Sequence, residues 1–188
     1  MADGEARAGT RRARWRTLGT VPFAATALTG TLAVHMALVA FGNSTDFGTN
    51  RQFVRHVLAM DTTFRDPDLM WRAVESPVLQ DAAYVVIIAW EVLTAAVLLL
   101  ATALWCAALR RGSRARARAA STAGLVMVLL LFGFGFMAVG GEWFAMWQSA
   151  DWNGLDAAAR NVALAAFTLL VVHLPYPAAH GDAPESAG

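Results

Sequence analysis

Four long apolar runs alternate with polar stretches along this chain: 18–41, 82–109, 119–141 and 155–174. Each supplies the roughly 20 helical residues needed to cross a hydrocarbon core about 30 Å thick. The pattern therefore predicts four membrane-spanning helices. The first run, Leu18 to Phe41, contains one ionisable residue, His35. It is longer than the about 7–15 apolar residues of a secretory signal and lacks a small-x-small cleavage site near its end, so it reads as a retained span. The second run is interrupted only by Glu91, and the third carries no charge. The fourth opens with Asp156 and Arg160 at a spacing that allows an ion pair, and Pro175 and Pro177 stop it.

The polar stretch 43–80 has a pattern of its own. Thr49 or Asn50 is placed to cap a short helix over Arg51 to Met60, with Phe53, Val54, Val57 and Leu58 on one face. Asp66-Pro67-Asp68 reads as a second helix start, closed by Pro77. Two short amphipathic helices in one loop predict a folded cap rather than a tether. The expected fold class is all-α: an integral membrane four-helix bundle with a short-helix cap on its outer face. Residues 1–17 form a basic tail, 18–174 a single membrane domain, and 175–188 a tail expected to be disordered.

Composition agrees with that reading. Apolar residues make up 57% of the chain, against about 45–50% in soluble domains, and the 15% of charged residues crowd between the runs. All basic residues are Arg, which with abundant Ala points to a GC-rich bacterial source. Five Arg lie in the N-terminal tail and five more at Arg110, Arg111, Arg114, Arg116 and Arg118. The positive-inside rule puts these clusters, and both termini, in the cytoplasm, with the 43–80 loop and the Trp-rich stretch 142–154 outside. The four Arg of the 43–80 loop are mildly discordant. A net charge of +1 gives no reason to expect a nucleic-acid partner. Cys106, the sole cysteine, excludes an intrachain disulfide, a CxxC pair or a cysteine zinc site.

Several strings are more specific than span composition. Asn43-Ser-Thr-Asp-Phe-Gly-Thr-Asn50, Phe53-Val-Arg-His-Val-Leu-Ala-Met-Asp61-Thr-Thr and Leu69-Met-Trp-Arg-Ala lie in the first loop. Ile87-Ile-Ala-Trp-Glu91 and Gly140-Gly-Glu-Trp-Phe-Ala-Met-Trp-Gln148 lie further on. Together they resemble a bacterial family of predicted small integral membrane proteins, domain of unknown function 2165, from about Leu18 to Leu174. The resemblance implies four spans in a bacterial inner membrane and brings no activity with it. His35 falls outside the family pattern.

Candidate chemistry is sparse. A charged carboxyl at the centre of a span costs about 2.5–3.5 kcal/mol, so Glu91 must be neutral, paired or facing a wet cavity. Counted from the span ends, His35 stands at a comparable depth. The two read either as a ligand- or proton-handling pair or, in Glu91's case, as a polar clasp between helices. Glu142, Asn43 and Asp46 are placed to join Glu91 in an acidic outer vestibule. The plainer reading makes Glu142 an interfacial charge that ends a span, and Asp46 and Asn50 turn and cap residues. Trp143 and Trp147 suit the membrane interface or a docking surface.

His35, His56 and His173 stand at different depths, so no haem is expected between spans, and neither a metal nor another cofactor is called for. Gly133-Phe-Gly135-Phe fails the dinucleotide spacing, and no HExxH, GxSxG or phosphate loop is present. The expected role is non-catalytic: a membrane subunit, in contact with lipid, whose outer loops bind a membrane-protein partner or a second copy. The alternative is a small transporter or channel using Glu91 and the outer acids.

Overall fold

The computed structural model describes residues 19–111 and 114–175. Residues 1–18, 112–113 and 176–188 lie outside them, and with them the expected basic tail 1–17 and almost all of the expected disordered tail. Five α-helices are described: α1 (Val21–Thr45), α2 (Phe47–Ala59), α3 (Pro77–Arg111), α4 (Ala115–Leu129) and α5 (Leu155–His173). α4 continues as a π-helix over Leu130–Trp143. With that continuation counted, four helices are long and apolar enough to cross a membrane. Each packs on two others, α1 on α3, α3 on α4, α4 on α5 and α5 on α1, making an integral membrane helical bundle.

The packing follows from seven-residue repeats. On α3, Tyr84, Glu91, Leu98 and Trp105 recur every seventh residue and all are fully buried. Thr94, Ala101 and Ala108 make the companion row. On α1 the row is Pro22, Thr29, Met36 and Asn43, beside Ala33 and Ala40. Rows of this period keep two helices facing along a left-handed seam. Small residues bring the backbones close. Gly124 of α4 shows how close, since a Cβ there would stand 2.6 Å from Leu98 Cδ2. Hydroxyls inside the spans turn back to their own helices, as in Thr26 to the Pro22 carbonyl at 2.7 Å and Thr94 to Trp90 at 2.7 Å. Trp105 donates to Ser121 at 2.8 Å, and Thr29 lies 3.4 Å from the same hydroxyl. Large apolar side chains such as Leu38, Leu93, Leu100, Phe134 and Phe167 point outward, an inside-out surface that suits lipid.

The structure moves several expected boundaries. α1 runs on to Thr45, so Asn43 is a helix residue and not the start of a loop. α3 begins at Pro77, five residues before the expected 82. α2 begins at Phe47 with Asp46 at the N-cap position and no side-chain cap bond, and the expected caps Thr49 and Asn50 lie inside it. The second short α-helix of the cap does not form. Its start is real, because the Asp66 carbonyl accepts from Leu69 and Met70, but only a 3₁₀ turn follows, Met70–Arg72. Val74 N–H is already bonded to the Leu58 carbonyl at 2.8 Å, which pulls the chain back to α2 before a helix can propagate. Asp156 and Arg160 are both exposed and are not among the ion pairs of the described residues.

Candidate functional site

The seams of α1 and α3 meet at one polar contact. Asn43 Nδ2 donates to both oxygens of Glu91, each at 2.8 Å, and Glu91 is 2% exposed. Tyr84, one repeat earlier on α3, donates its hydroxyl to the Asn43 carbonyl at 2.9 Å and packs on the Phe47 ring. No cationic side chain among the described residues pairs with Glu91. The contact lies where α1 ends, two residues before Thr45, while α3 continues fourteen residues past Glu91 to Pro77. Glu91 therefore sits beneath the cap, level with the end of α1.

His35 is not its partner. His35 lies eight residues down α1 from Asn43, roughly 12 Å at 1.5 Å per residue, so the expected common depth is wrong. The error came from the two misplaced helix ends. Instead, His35 Nε2 is 2.7 Å from Asn161 Oδ1 on α5. His56 bonds Asp61 at 2.8 Å and stacks on Trp152, and His173 Nε2 lies 2.9 Å from the Thr122 hydroxyl.

The acidic vestibule is not assembled either. Asp46 is exposed, and the bond it contributes to Asn50 comes from its backbone carbonyl. Glu142 is exposed at the end of the π-helix, with no hydrogen bond to the Glu91 group. Only Asn43 and Glu91, of the expected set, are brought together.

The cap is held by contacts that the sequence did not announce. Asp81, in the first turns of α3, takes Arg51 and Arg55 from α2: Arg51 Nε is 2.7 Å and Arg55 Nε 3.1 Å from the same oxygen. Asp81 was visible as the lone acid at the head of a span, but its partners were not. Beyond α2 the loop lies across the Trp-rich stretch. Thr62 bonds Ser149 at 2.8 Å, Phe64 N–H donates to Gln148 at 2.9 Å, and Met60 is buried with Phe144 and Ala145.

Trp143 and Trp147, both about half exposed, each receive a ring from the loop. Trp71 meets Trp143 edge-on at 5.5 Å, with the Arg72 guanidinium 4.9 Å from the Trp143 ring centre. Phe64 meets Trp147 edge-on at 5.9 Å. These rings form an exposed aromatic ridge along the capped end.

A family described as predicted small integral membrane protein, domain of unknown function 2165, matches residues 21–175. The chain belongs to that family. The match runs from the first turn of α1 to just past α5, so it takes in the cap, the Glu91 contact and the ridge together. Among curated proteins and among solved structures, nothing matches. The family description carries no substrate or reaction.

Proposed function

We propose that this protein is a non-catalytic membrane subunit whose capped end docks a second protein. The supporting observation is the aromatic ridge. Phe64 and Trp71 are 73% and 70% exposed, yet both stand on a loop tied down at several points. Single Trp rings at a membrane end are ordinary interfacial anchors. Paired rings with an Arg stacked between them, on a pre-ordered surface, are the residue types that dominate binding energy at protein interfaces. In the same reading the protein lies in a bacterial inner membrane, with the ridge on the outer face and both termini in the cytoplasm.

Transport through Glu91 has less support. Both oxygens of that carboxyl are taken by Asn43, and the outer acids that were expected to accompany it stand apart. The partner-docking reading is tested by replacing Trp71 or Phe64 with a photo-crosslinking residue in cells. Crosslinking should yield one discrete adduct that Arg72→Ala weakens while thermal stability in detergent stays the same. Crosslinks to lipid alone would overturn the proposal.

A further inference from the structure

Beneath α2, against α3 and the π-helix, lies a cavity of about 280 Å³. It is just below the roughly 300 Å³ at which ligand pockets begin, and its walls are apolar side chains and glycine throughout. Such a space does not hold water, because water needs two to four polar partners. The π-helix shapes one wall. Leu131, Gly135 or Phe136, and Val139 or Gly140 face the cavity, a spacing of four to five residues that matches the wider π turn.

Gly135 opens that wall further. A Cβ there would meet nothing nearer than the Leu130 carbonyl of its own helix, at 3.7 Å. Gly124 lower in the same span is pressed tightly on Leu98, so the openness at Gly135 is local. On the α3 side Ile87 is half-buried, while its neighbour Val86 is 65% exposed, which leaves the cavity open sideways. Val86 lies within a helix long and apolar enough to cross a membrane, and an opening on the flank of such a helix suits an acyl chain.

We infer that this cavity binds one acyl chain of an anionic phospholipid, whose phosphate rests on Arg51 and Arg55. The chain follows from the dry apolar walls and the lateral mouth. The headgroup follows from charge. Arg51 and Arg55 stand on α2 and Asp81 on α3, and the same two helices supply the cavity residues Val54 and Ala83. Two guanidinium groups share this one carboxylate, leaving one net positive charge where α2 meets α3, the two helices that also wall the cavity. Arginine is the side chain best shaped to take a phosphate there. This assignment stands independently of any protein docked on the ridge.

The test uses the full-length protein, delipidated in mild detergent and titrated with phosphatidylglycerol or phosphatidylcholine under native mass spectrometry. Wild type should take up one phosphatidylglycerol at saturation, and phosphatidylcholine at least several-fold more weakly. Gly135→Leu, which fills the cavity, should lower phosphatidylglycerol binding tenfold or more with an unchanged melting temperature. Ile87→Phe fills it from α3 and gives the same readout should Gly135→Leu fail to fold. Arg51→Ala with Arg55→Ala should remove the preference for the anionic lipid. No discrete one-to-one adduct in wild type, or full binding by both filled variants, would overturn the site. Equal binding of the two lipids by wild type would overturn the anionic assignment.

Discussion

At the scale of single residues, the Asn43–Glu91 contact is a structural clasp with a defined chemistry. An unsatisfied polar group in an apolar setting costs about 1–3 kcal/mol, so the consequence of a substitution depends on what it leaves behind. Glu91→Gln keeps an acceptor oxygen for Asn43 Nδ2 and should leave the melting temperature in detergent nearly unchanged. Glu91→Leu strands the Asn43 amide and should destabilise the protein by about 1–3 kcal/mol. A parallel measurement in liposomes separates clasp from carrier: wild type should show no proton or cation flux under an imposed gradient. Flux that is present in wild type and lost in a stable Glu91→Gln variant would sink the non-catalytic proposal. The contact was half legible. Glu91 stood out as the lone charge in its run, and Tyr84, Leu98 and Trp105 mark its seam at seven-residue steps. Asn43 was expected near Glu91, but as a loop residue of a vestibule; the direct bond shows only once α1 is seen to continue to Thr45.

Among the elements, α2 and the π-helix depart most from what local pattern suggests. The apolar face of α2 was readable from Phe53, Val54, Val57 and Leu58, and that face is turned onto the cavity. Its anchorage was not readable, because Arg51 and Arg55 lie 30 and 26 residues from Asp81. Asp81→Asn removes the charge that both arginines share, so α2 should detach more often. Limited trypsin digestion in intact membranes should then cut at Arg51 or Arg55 several-fold faster than in wild type, where the cap protects both. Equal rates would show that the ring contacts of Phe53 with Phe136 and Trp152 hold α2 without the ion pairs. The π segment had no period of its own in a run apolar on all sides. Glycines in an apolar span suit close helix approach, and the widening shows only in the backbone.

For the molecule as a whole, the arrangement of four spans leaves orientation as the property to measure. With Cys106 replaced, single cysteines at Thr63 and Asn153 should react with impermeant reagents from outside. A cysteine at Arg116, exposed at the start of α4, should react only after the membrane is made permeable. The reverse pattern would invert the bundle and put the aromatic ridge in the cytoplasm. This experiment also tests the mild discordance of Arg51, Arg55, Arg65 and Arg72, which the positive-inside rule counts against an outer location. Three of them are engaged in the structure: two on Asp81, and one across Trp71 and Trp143.

The number of spans, their approximate limits, the apolar face of α2 and the oddity of Glu91 are properties of the sequence by itself. They follow from local composition, because lipid as solvent demands long apolar helices with internally bonded backbones. Tertiary structure decided the partners. Asn43 for Glu91, Asn161 for His35, Asp81 for two arginines and Trp143 for Trp71 are all contacts between distant positions. Which seam faces which is set by packing around the ring of helices, and a span that is apolar on every side gives no periodic signal of its neighbours. The cavity beneath α2 belongs to the same class: it exists only because a cap helix, the head of α3 and a widened helix with a glycine in its wall, three separate stretches, fail to fill the space between them.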